Sequence, residues 1–105
     1  MERLAIVARL EAGAERKAAE LIANGPPFDP SAIGFVRHAV FLSSSEVVFV
    51  FEGHEVEWIV DSLVSDPFQW MVSVALDKWR PLIKEHPRVA REVFHWEAKQ
   101  PAPVG

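Results

Sequence analysis

Residues 3–10, RLAIVARL, set Leu4, Ile6, Ala8 and Leu10 on one side and Arg3, Ala5, Val7 and Arg9 on the other. A period of two in a short run bounded by the EAGA turn signal predicts a β-strand. Over 14–24 the spacing changes to that of a helix, with Ala14, Ala18, Leu21 and Ile22 on one stripe. Asn24-Gly25 followed by Pro26-Pro27 is a strong C-terminal stop. FVRHAVFL (35–42) and EVVFVFE (46–52) are two β-rich runs separated by serines, so they read as a hairpin turning near Ser44 and Ser45. A two-residue loop there pairs Val40 with Phe49 and Arg37 with Glu52.

From Glu55 to Val64 the apolar residues Val56, Ile59, Val60, Leu63 and Val64 follow the i, i+3, i+4, i+7, i+8 pattern of an amphipathic helix, with Trp58 on its opposite face. SDPFQ then opens a third helix, with Asp66 as N-cap, Pro67 at the first helical position and Gln69 completing a capping box. Its stripe runs through Phe68, Met71, Val72, Ala75, Leu76 and Trp79 to Pro81, and leaves Trp70 and Val74 off the face. VAREVFHWE (89–97) reads as a last strand. Residues 98–105, AKQPAPVG, read as a loose tail or an arm laid on a partner. With no internal repeat or linker, residues 1–97 form one expected domain.

The order β-α-β-β-α-(α)-β is the split βαβ, ferredoxin-like arrangement, an α+β fold in which helices cover one face of an antiparallel sheet. The other face raises a difficulty. Phe35, Ala39 and Phe41 stand opposite Val36, Val40 and Leu42, so the strands are apolar on both sides, whereas a sheet facing water alternates. A chain of 105 residues buries roughly two-thirds of its unfolded surface, enough for a modest core and little for a second layer. The economical expectation is a homodimer with the two sheets face to face, closing an α+β barrel whose lumen takes a small apolar or aromatic molecule.

Composition narrows the partners. Half of the residues are hydrophobic, a quarter are charged, the formal net charge is −4 and no basic run occurs, which argues against nucleic acid and anionic membranes. No cysteine is present, so disulfides, thiolate nucleophiles and Cys-ligated zinc are excluded. The apolar core of the N-terminus is too short for a signal sequence and nothing approaches a membrane span, so the expected location is cytoplasmic.

IGFVRHAVFL (33–42), SDPFQ (65–69) and REVFHW (91–96) resemble the tetracenomycin-type aromatic polyketide cyclases of the dimeric α+β-barrel superfamily, over residues 28 to 97. The resemblance implies a cofactor-free protein that folds, cyclises or isomerises a carbonyl compound. In that family the first hairpin strand carries arginines, at least one directed into the cavity, and a His on the partner strand has been proposed as acid or base. Aligned without a gap from Gly34, His38 falls at the cavity arginine and Phe49 at the family His. Shifted by one residue, Arg37 takes the cavity position, and such a slip exchanges the faces of the whole strand. The family's acidic and His pair after the first helix falls near Asn24 and Gly25, which cannot do that work. Haem-degrading relatives carry a His on the helix after a similar S-D-x-F stretch; residues 68–79 contain none, so no haem is expected.

The candidate chemistry rests on few side chains. His38 and His95 are mid-strand and are candidate catalytic acids or bases, although a mid-strand His is more often a hydrogen-bonded core residue. His54 and His86 read as surface residues, and no metal-ligand spacing links the four histidines. An unpaired guanidinium beneath helices costs several kcal/mol, which favours an open face made of Arg37, Ala39, Phe41, Val48, Val50 and Glu52. The gapless resemblance gives the reverse, with His38 in the cavity. The choice stays open, and His38 is the working expectation because Arg37 can pair with Glu52 at a strand end. Arg37, Arg9, Phe49, Trp58, Trp70 and Trp96 are candidate substrate-binding residues. A non-catalytic ligand-binding or structural homodimer is the competing expectation.

Overall fold

The computed structural model of the protein describes residues 1–26, 29–59 and 77–98. Four strands, β1 (Glu2–Arg9), β2 (Phe35–Leu42), β3 (Glu46–Gly53) and β4 (Arg88–Arg91), form one antiparallel sheet in the order β2-β3-β1-β4. Helix α1 (Glu15–Ala23) connects β1 to β2, and a short helix α2 (Pro30–Ile33) immediately precedes β2. Residues 56–59 and 77–79 are helical. This is the α+β, ferredoxin-like arrangement. The expected SDPFQ helix start, Trp70 and most of the helix from Glu55 to Val64 lie outside the described residues.

The alternation in β1 decides which face is covered. Leu4, Ile6, Ala8 and Leu10 sit against Phe51, Phe49 and Val47 in register and turn to the helices. Two adjoining clusters make the core: Leu4, Phe35, Phe51, Val56 and Ile59 near one end, and Ala8, Leu10, Ala14, Ala18 and Val47 near the other. Small residues at 8, 14 and 18 let α1 approach the sheet closely. Each large buried side chain here contributes about 1.5–3 kcal/mol relative to exposure. Phe49 bridges the clusters and meets Trp79 edge to face at 5.2 Å.

The hairpin pairs Val40 with Phe49 and Arg37 with Glu52, as the serine turn predicts. Its start holds a surprise. The ladder shifts between Phe35 and Arg37, so Val36 is an extra residue in a β-bulge. Phe35 therefore turns to the core, while Val36, which regular alternation with His38 and Val40 would put on their face, is 60% exposed. Two glycines make the corner possible. Gly34 caps α2 at φ 108°, in the left-handed region. A Cβ on Gly53 would lie 3.0 Å from the Gly34 carbonyl oxygen.

Two further departures have plain causes. Helix α2 was not anticipated from the sequence, although Asp29-Pro30-Ser31 is an N-cap with proline at the first position. The Ser31 hydroxyl and backbone N–H donate to the Asp29 carboxylate, which holds its pKa below the usual range. The last strand stops at Arg91 rather than 97. Arg91 pairs with Leu4, so a continuing strand would run past the N-terminus of β1 two or three residues later.

Candidate functional site

All the described helices lie on one face of the sheet, and among the described residues no element crosses the other. The register lays this open face out in rows. Ala39, Val50, Ala5 and Ala90 form a low central row across the four strands. Phe41, Val48, Val7 and Arg88 make the next row toward the hairpin turn. On the other side stand Arg37, Glu52 and Arg3, and Glu92 reaches the same row just past β4. The result is a shallow trough floored by small apolar groups, with a charged wall on one side and, on the other, a wall of Phe41, Val48 and Val7 that ends in Arg88.

The charged wall is one connected network. Glu52 receives Arg3 Nη2 on Oε1 at 3.2 Å and faces Arg37 Nε from Oε2 at 3.5 Å. Arg3 Nε also lies 3.2 Å from Glu92 Oε2. The Glu52 side chain is only 13% exposed, whereas that of Arg37 is 78% exposed. A carboxylate shared by two arginines holds the Arg37 guanidinium in place and leaves most of its N–H donors turned to solvent.

The structure reverses the working expectation for His38. Its ring stacks on Phe51 at 4.5 Å on the helix-covered face, and Nδ1 lies 3.0 Å from the Val50 carbonyl oxygen. A carbonyl only accepts, so Nδ1 carries a proton and donates it to Val50. The pattern reading of the strand holds, with Arg37 on the open face. Because Val36 is an extra residue between Gly34 and Arg37, a count from the glycine that assumes a regular strand lands on the wrong face.

The other candidates scatter. Phe49 is a core residue on the helix side and does not reach the open face, because it shares its parity with Val47 and Phe51. Arg9 lies on the open face at the far end, 3.5 Å from Glu85 through Nη1. Trp58 is 68% exposed and lines a surface depression with Glu2, Glu55 and Glu57, apart from the trough. His95 and Trp96 follow β4 in the segment 92–98. His95 Nε2 donates to Glu97 Oε1 at 3.0 Å, and Nδ1 is 3.9 Å from Glu92. His54 and His86 are exposed, as expected. Arg3 and Glu52 belong to the site and were not singled out together from the sequence, although both carry the parity of Arg37. Among the described residues no group of three or more His, Cys, Asp or Glu is placed to hold a metal ion, and no helix is long and apolar enough to cross a membrane.

Comparison with solved structures gives the fold relatives. Tetracenomycin F2 cyclase from Streptomyces glaucescens, a type II polyketide cyclase, superimposes with a TM-score of 0.67 at 16% identity, over 94% of this chain and 100% of that one. Protein Atu4242 from Agrobacterium tumefaciens gives 0.58 at 17% identity, over 87% and 92%. A protein from Chloroflexus aurantiacus described as an antibiotic biosynthesis monooxygenase gives 0.50 at 17%, over 90% and 95%. No family model and no curated protein matches the chain. At these identities the likeness is one of fold, and it extends over nearly the whole chain.

Proposed function

We propose that the open face is the floor of a ligand cavity that a second copy of the chain closes, and that the cavity takes a small apolar or aromatic carbonyl compound as a polyketide-cyclase-like protein would. The observation that carries this is the pairing of Arg37 and Arg3 on Glu52 at the edge of an apolar floor made of Ala39, Val50, Ala5 and Ala90. A planar molecule fits a floor without bulky side chains, and its oxygen finds a guanidinium at one end. Tetracenomycin F2 cyclase, a polyketide cyclase of the same fold, supports the substrate class.

If the cavity is catalytic, the chemistry is cofactor-free cyclisation or isomerisation. The floor orients the carbon chain, and Arg37 stabilises charge that develops on an enolate oxygen. His38, on the far face, is not the proton carrier. The role falls to His95, which lies in the segment after β4 beside Glu92 and Glu97. A second reading, a non-catalytic binding dimer, is favoured by the absence of any imidazole from the described floor.

The test is a titration of the protein with 1,8-dihydroxyanthraquinone, followed by tryptophan fluorescence. Saturable binding is expected, with Arg37→Ala weakening it by about tenfold, the loss of one charge-assisted hydrogen bond of about 1.4 kcal/mol or more. Ala39→Leu, which fills the floor, is expected to abolish it. Binding unaffected by Ala39→Leu would place the ligand elsewhere and end the proposal.

A further inference from the structure

Four arginines carry the parity of the open face: Arg3, Arg9, Arg37 and Arg88. Three of them are answered by carboxylates. Arg3 and Arg37 share Glu52, Arg3 also reaches Glu92, and Arg9 Nη1 lies 3.5 Å from Glu85. Arg88 is different. Among the described residues no carboxylate pairs with its guanidinium, and Glu85, just before it in the chain, is engaged by Arg9. Ile83 pairs with Leu10 and packs on the core, so Lys84 falls on the side of Arg9 and Arg88 and adds a second cation there.

The two ends of the trough therefore differ in charge. At the Arg37 end two guanidinium groups are balanced by Glu52 and Glu92, so what that wall offers a ligand is hydrogen-bond donors for a neutral oxygen. The opposite corner holds positive charge without a counterpart, in a protein whose formal net charge is −4. Arg88 is the first residue of β4 and lies in line with Phe41, Val48 and Val7, so apolar side chains border it on one side and water on the other. A rim position spares an incoming anion most of the desolvation that a buried ion pair would impose. Four residues along the strands and three strand spacings separate Arg37 from Arg88, roughly 20 Å between α-carbons on a diagonal across the floor.

We infer that Arg88 is a specificity-determining residue: it takes an ionised acid group at the end of the ligand away from Arg37, and so fixes which way round an elongated aromatic molecule lies on the floor. This rests on the open face being a ligand cavity, and adds to that reading one residue and one substituent. A neutral oxygen is served by the balanced wall and a carboxylate by the unbalanced corner. A ligand carrying both has one favoured orientation, with its carbonyl chemistry at Arg37.

The test uses the full chain at neutral pH and tryptophan fluorescence, and reads the ratio of the dissociation constants of 1,8-dihydroxyanthraquinone and 1,8-dihydroxyanthraquinone-3-carboxylate. Wild type is expected to bind the carboxylate about tenfold more tightly, as one charge-assisted arginine contact provides. Arg88 is exposed, so its truncation leaves the fold intact, and in Arg88→Ala the ratio is expected to fall to about one. In Arg37→Ala, which weakens both ligands, the ratio is expected to stay at about ten. Added salt is expected to narrow the wild-type ratio, because the contact is ionic and lies at the rim. Equal affinities in wild type would overturn the acid subsite and spare the cavity. A preference that survives Arg88→Ala, or that is lost in Arg37→Ala, would overturn the assignment to Arg88. Saturable binding of neither ligand would overturn both the subsite and the cavity.

Discussion

The two faces of this sheet are built by the same strands from similar residues, yet they solve different problems. On the helix side Phe35, Phe51 and Val47 are buried, and the one polar side chain admitted from β2, His38, arrives with a stacking partner and a backbone acceptor. On the open side Phe41 stays exposed and the charges come as a network around Glu52. A polar group can enter a covered layer when one short bond satisfies it, whereas a guanidinium, with its five donors and permanent charge, needs water or several partners. That difference in demand, more than hydrophobicity, sorts Arg37 from His38.

The largest effect that can break the contrast is on stability. Phe51→Ala should cost about 3–5 kcal/mol in urea unfolding, as large-to-small changes in a packed aromatic cluster do. Phe41→Ser, at a concentration where the protein is monomeric, should stay within about 0.5 kcal/mol of wild type. Equal costs at the two positions would mean that the open face is covered within one chain. A middling effect sharpens the position of His38. His38→Phe keeps the stack on Phe51 and loses the bond to Val50, so it should cost at most about 1.5 kcal/mol. It should also leave anthraquinone affinity unchanged, and loss of binding would return His38 to the cavity. The smallest effect is expected for Glu52→Gln, at about 1 kcal/mol or less because its arginine partners reach solvent. Its signature is salt dependence: added salt should erode the stability of wild type more than that of the variant.

Much of the fold was legible in the chain because burial imposes parity. Leu4, Ile6, Ala8 and Leu10 announce the covered face of β1, and the serine turn fixes Val40 opposite Phe49 and Arg37 opposite Glu52. What was illegible had no periodicity to betray it. The four residues of α2 are too few for an apolar stripe, and only the Asp29 cap with Pro30 could have signalled it. The end of β4 depends on where its neighbour β1 begins, a fact about another part of the chain. Phe49 was misplaced by a resemblance read without a gap, and its alternation with Val47 and Phe51 carries the correct face. The Arg3–Glu52–Arg37 cluster joins residues 49 positions apart in sequence between Arg3 and Glu52, and pairing of β1 with β3 brings them together.

The bulge at Val36 bears on how this chain tolerates changes of length. Along the rest of β2, loss of one residue would invert the phase of everything on one side of the lesion, turning charged groups into the core. At Val36 the phase is already offset by one. Deletion there restores a regular strand in which Phe35 still points inward and Arg37 still points out. The strand thus contains a site where one residue can be lost while the inner and outer faces on both sides of it are kept.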